Sequence, residues 1–138
     1  MVSAQWLISC DSKTNASDAV SIPDQVSYNF HIRPILSDNC YACHGPDANK
    51  REAGLRLDTP EGAYAALKDN LGLHAVIPGK PADSELVHRI FATDADELMP
   101  PVESNLKLSD EQKEILKRWI KQGAVYEPHW AFTKPLKS

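Results

Sequence analysis

Cys40-Tyr41-Ala42-Cys43-His44 is the stretch on which the reading of this chain turns. One turn of backbone brings two thiols at this spacing to the same side, and the next residue adds an imidazole. Each thiol can form a thioether to one of the two vinyl groups of a porphyrin, while the imidazole lies beneath the ring within reach of iron. The pattern is the attachment signature of a c-type haem. Two other chemistries use paired cysteines. Structural zinc wants four convergent Cys/His ligands, usually as two spaced pairs, and no second pair exists here. A thioredoxin-like pair needs a βαβ setting, and the sequence shows none.

Upstream of the motif, order begins near Val26. Tyr28, Ile32, Ile35 and Leu36 recur at helical spacing and predict a short helix leading into Cys40, with Pro34 tolerated near its start or at a kink. Downstream, Gly45-Pro46 ends the motif and turns the backbone. Leu55-Arg56-Leu57 alternates but is too brief to make a sheet. Thr59 and Pro60 open a helix with Ala63 to Leu67 as its body. Pro78-Gly79 marks a turn, and Asp83 or Ser84 caps a helix running to about Phe91, with Leu86, Val87 and Ile90 on one face. A loop then carries Glu97-Leu98-Met99-Pro100-Pro101. In the last helix Ser109 is the N-cap, Gln112 completes a capping box and Gly123 is the stop, while Ile115, Leu116, Trp119 and Ile120 form one apolar stripe. The resulting expectation is an all-α fold of four to five short helices and long loops around one covalently bound haem c.

Composition agrees with a small, loop-rich domain. The chain has 138 residues, 42% of them hydrophobic and only 7% aromatic, with ten prolines. A haem supplies a large apolar body around which such a chain can pack. The net charge of −4 and the lack of any basic run argue against nucleic acid as a partner; an electrostatic partner would offer a basic patch. Covalent haem attachment implies maturation outside the cytoplasm, hence an exported protein of the periplasm or cell envelope. No stretch reaches the roughly 18–20 apolar residues that span a bilayer. Of three cysteines, Cys10 is left over by the motif. Leu7-Ile8-Ser9-Cys10 looks like a lipobox, which would make Cys10 a lipidated membrane tether. Yet residues 1–9 lack the charged start and the long apolar core of a secretory signal, so an incidental thiol is the alternative. Three segments are expected: a tail at 1–25, a cytochrome domain at 26–127 and a linker at 128–138.

His44 is the expected proximal ligand, with its second ring nitrogen given to a backbone carbonyl. Met99 is the candidate sixth ligand: apart from Met1 it is the only methionine, and it sits in a Pro-flanked loop. A thioether there would stabilise ferrous haem and raise the potential. His74, His88 and His31 are rivals, with His129 a distant fourth. Arg56 is a candidate partner for a haem propionate. Leu55, Leu57, Pro78, Leu86, Ile90, Leu98, Leu116 and Ile120 are candidates for the apolar pocket. Trp119 is expected to pack the last helix on the first, near the haem edge.

These stretches together resemble a class I cytochrome c and, more narrowly, the planctomycete-type cytochrome c domain. The resemblance rests on Val26 to Asn29 with Ile32 to Leu36, Cys40 to Asp47, Ala53 to Asp58, Val76 to Gly79, Ser84 to Leu86, Met99 to Pro101, Leu116 to Ala124 and Pro128 to Phe132. It implies a class I cytochrome c-like fold and one-electron transfer through an exposed haem edge by a module that is not itself an enzyme. It also implies a redox partner protein or a fused catalytic domain. Two other functions use the same residues: a five-coordinate or labile haem acting as enzyme or sensor, and a structural haem in a domain that tethers a larger protein.

Overall fold

The structure, a computed structural model, describes residues 21–129. Ser27 caps a π-helical turn, Tyr28–Ile32, that runs directly into α1, Arg33–Asn39. The change of winding has a local cause. Pro34 has no N–H to give, and Arg33 N donates five residues back to the Tyr28 carbonyl, which carries the helix past the proline. Cys40 then breaks the helix, and α2, Tyr41–His44, is the single turn that holds the motif. Thr59 caps α3, Pro60–Tyr64, and Ser84 precedes α4, Glu85–Ile90. Short 3-10 turns lie at Pro81–Asp83 and Val102–Ser104. The longest helix is α5, Asp110–Lys121, and the capping box between Ser109 and Gln112 forms as the sequence predicts.

The all-α expectation is overturned. Helix accounts for 41% of the described residues, and β1, Ala66–Leu67, pairs with β2, Asn70–His74, in an antiparallel hairpin, so the content is mixed α and β. The helix expected through Leu67 ends at Tyr64, because partners from the next segment take its last carbonyls. Val76 N donates to Ala63 O at 3.1 Å, and the His74 ring bonds Tyr64 O at 2.7 Å. With those acceptors committed, Ala65 is extended and the chain turns back on itself.

The core lies between the first helix and α5. Ile32, Leu36, Leu116 and Ile120 are fully buried, joined by Val76 and Ala63. Trp119 packs on Tyr28, ring centroids 5.9 Å apart, and Tyr126 inserts between them at 4.6 Å from Tyr28 and 5.3 Å from Trp119. Trp119 therefore joins the last helix to the first as expected, but in this seam and not on the cavity described below. The two outer segments are clasped to each other. Gln122 bonds Val26 N and Asp24 O, Arg118 bonds Pro23 O, and the Glu127 carboxylate accepts from Ser27 and from the free N–H groups of Tyr28 and Asn29. Cys10 and the stretch after His129 lie outside the described residues, among them the lipobox reading and the last part of the proposed linker.

Candidate cofactor cavity

The motif turn is short, and its carbonyls need partners that a four-residue helix cannot supply. The following loop supplies them. Glu52 N donates to Cys43 O at 2.8 Å, Leu57 N to His44 O at 2.8 Å, and Arg51 reaches the carbonyls of Gly45 and Pro46. Gly45 is required at the bend, because a Cβ there would lie 2.3 Å from Tyr41 O. Leu57 links three parts of the molecule. Its N–H holds His44, its carbonyl accepts from the Tyr126 hydroxyl at 2.7 Å, and its side chain faces the cavity.

That cavity, about 350 Å³, is where the motif meets the rest of the chain. Cys40, Cys43 and His44 line it together with Met99, which lies 55 positions further along the sequence. Most of the wall is apolar: Leu55, Leu57, Leu67, Leu86, Ile90 and Leu106. Met99 is held over α4 by its own backbone, its N–H donating to Arg89 O at 3.0 Å, while Leu98 N bonds Asp94 O.

The predicted site residues divide cleanly. The structure brings Cys40, Cys43, His44 and Met99 to one cavity and leaves Arg56 outside its lining. One edge of the Arg56 guanidinium, Nε and a terminal NH2, is committed to Asp58, at 2.9 and 2.6 Å. Of the eight pocket candidates, Leu55, Leu57, Leu86 and Ile90 line the wall; Pro78, Leu98, Leu116 and Ile120 do not. None of the rival histidines lines it either. His31 accepts from Ser27 N, His74 bonds Tyr64 O and His88 bonds Ala82 O. The sequence reading missed Leu67, Ala75, Arg89 and Leu106; the alternation around Leu71 and Leu73 was the available signal for the hairpin that carries Leu67 into the wall.

The electrostatics narrow the chemistry. Burial, with Cys43 nearby, pushes the Cys40 thiol up to about 12, the reverse of the lowered value that a reactive redox thiol requires. Cys40 and Cys43 are not joined in a disulfide. Among the described residues no group of three or more His, Cys, Asp or Glu side chains converges to hold a metal ion, so a zinc site of the Cys/His type has no ligand set. Burial lowers the His44 pKa, outweighing the backbone of Glu52 and Leu55, which acts the other way. The ring is thus held neutral, the form that binds a metal. Its Nδ1 is buried and makes no hydrogen bond, although a backbone carbonyl was expected to take it.

A planar, mostly apolar macrocycle with an iron centre fits this donor set. Two thiols and an imidazole stand on one turn, a thioether sulfur comes from a separate loop, and the wall between is aliphatic.

Residues 40–103 match the model of the planctomycete cytochrome C family. Over this stretch the chain is similar to planctomycete cytochrome C domains. Comparison with curated proteins and with solved structures gave no match. The matched stretch runs from the first cysteine of the motif into the 3-10 turn after Met99, and only Asn39, Ser104 and Leu106 of the cavity lining fall outside it. That similarity supports a haem-binding electron-transfer module, of a kind that is generally exported. No helix among the described residues is long and apolar enough to cross a membrane.

Proposed function

We propose that this cytochrome domain binds a single haem c and transfers one electron at a time, with His44 and Met99 as axial ligands of its iron. The observation that carries the reading is the convergence of Cys40, Cys43, His44 and Met99 on one apolar cavity. Cys40 and Cys43 would hold the porphyrin by thioether bonds. When bound, the haem supplies the one-electron couple.

The chain's own residues govern that couple. Leu57 N and Glu52 N fix the motif backbone from outside. The aliphatic wall lowers the local dielectric and keeps water from the metal. Met99, restrained through Arg89 O, offers a soft sulfur that favours the ferrous state. With His44 and Met99 both holding the iron, no place would be left for a substrate, and the domain would not itself be an enzyme. Its counterpart is a redox partner protein or a fused catalytic domain, not nucleic acid. It works outside the cytoplasm, in the periplasm or cell envelope, with lipidated Cys10 as an anchor.

The test is an absorption spectrum, oxidised and reduced, before and after extraction with acidified organic solvent. Haem that stays with the protein, with a weak long-wavelength thioether-to-ferric band, is the expected result. Met99→Ala should keep the covalent haem, lose that band and lower the midpoint potential. An unchanged band and potential in that variant would sink the Met99 assignment.

A further inference from the structure

The cavity wall carries one guanidinium. Besides His44 and the two cysteines, its ionisable lining consists of Glu52, Glu85 and Arg89, so among the described residues Arg89 is the only permanent cation facing the space. The protein's other four arginines are engaged elsewhere. Arg56 is bidentate on Asp58, Arg51 holds two carbonyls of the motif loop, Arg118 holds Ile22 O and Pro23 O, and Arg33 lies over the Tyr28 ring at 5.6 Å.

Arg89 differs in what it has committed. Its Nε donates to Glu85 Oε1 at 2.8 Å, one turn back on α4, and no hydrogen bond among the described residues takes its two terminal NH2 groups. The side chain is 40% exposed and its partner 20%, which places the pair at the rim of the cavity, between the aliphatic wall and water. A guanidinium oriented through Nε and open at its two ends is a receptor for a carboxylate. The same residue restrains Met99 through its carbonyl, so its backbone and its side chain act on one end of the cavity.

We propose that Arg89 is the carboxylate anchor of this cavity, taking a propionate of the bound tetrapyrrole with its terminal NH2 groups while Glu85 keeps Nε and sets the orientation. Arg56, the candidate from sequence, is replaced in this role. The inference rests on the haem reading above and adds a point of recognition that neither the motif nor Met99 provides.

Two measurements on the haem-loaded protein test it: the midpoint potential, and the resonance Raman band of propionate bending, which responds to hydrogen bonds on the carboxylate. Arg89→Gln should shift that band and favour the ferric form about tenfold, equivalent to about 59 mV for a one-electron couple. Arg89→Lys should restore the potential but only part of the band, since an ammonium reproduces the charge without the fork. Arg56→Gln should leave the band in place. If Arg89→Gln does not fold, Glu85→Gln decides: freed of its counter-charge, Arg89 should bind the propionate more strongly, moving the band in the opposite sense. A band that stays put in Arg89→Gln, or in Glu85→Gln where only that variant folds, overturns the anchor. Wild-type protein that surrenders all its haem to acidified solvent would overturn the covalent reading, and the anchor with it.

Discussion

Around Tyr126 every ring meets another ring, and every polar handle has a partner. Tyr126 bonds Leu57 O, Trp119 Nε1 bonds Val125 O, Tyr28 and Tyr41 share a hydrogen bond at 3.1 Å, and Tyr64 donates to Ala124 O. Burial raises the pKa values of Tyr41, Tyr64 and Tyr126, so these hydroxyls stay protonated and keep donating. Around Met99 the arrangement is different. The 98–106 loop is tied to α4 and to itself through a few backbone bonds, and Met99, Pro100, Pro101 and Leu106 line the cavity. The aromatic seam is complete in protein alone, whereas the cavity wall is completed by what it holds. The difference suggests a division of labour: the seam sets the fold, and the cavity side takes its stability from the cofactor.

The largest effect should come from removing that cofactor. In Cys40→Ala/Cys43→Ala protein, hydrogen exchange at Leu57 and Met99 is expected to speed up on the order of a thousandfold, while the amides of α5 change less than about tenfold. Equal loss of protection on both sides would break the comparison.

Next comes Leu116→Ala, in the buried core of the seam side. It should cost about 2–5 kcal/mol in denaturant unfolding with the haem spectrum unchanged. A spectral change would show that the two sides are one cooperative structure.

Tyr126→Phe probes the bridge between them. Losing the hydroxyl on Leu57 O should cost about 0.5–1.5 kcal/mol, and because Leu57 N holds His44 O, a small shift in the haem bands should accompany it. Stability loss without that shift would cut the seam off from the iron.

The smallest effect belongs to the Arg56–Asp58 pair. The Arg56 hydrogen bond holds the Asp58 carboxyl below its usual range, against a burial effect of opposite sign. A depressed carboxylate contributes stability that is complete above its unfolded pKa and lost as pH falls through the folded one. The unfolding curves of wild type and Arg56→Gln should therefore differ by a constant amount near neutrality and converge in acid. Curves that diverge in acid would show a different role for the pair.

Local chemistry was what the sequence made legible. The motif turn, the α5 capping box and the Gly123 stop depend on residues within a few positions of each other, and all three stand as expected. Met99 could be paired with His44 because a lone methionine between Leu98 and two prolines has few other uses. The pairing of Arg56 and the hairpin were not legible, for a shared reason. Whether a guanidinium is free depends on what stands beside it, and Asp58 had already taken this one. Likewise, whether helix continues past Tyr64 depends on Val76 and His74 claiming its carbonyls. Neither competition shows as a period in the sequence. The pocket list failed in the same way: Leu116 and Ile120 have the right apolarity but face the first helix, while Leu67 reaches the wall only because the hairpin turns it there.

The clasp between the outer segments has a mechanical consequence. Gln122 and Glu127 grip residues 24–29 within a few ångströms, on the seam side of the molecule. Tension arriving along the chain from either direction is taken up by those bonds before it reaches α2 or the Met99 loop. Traction on the polypeptide would strain the clasp first, leaving the spacing between His44 and Met99 insulated from the pull.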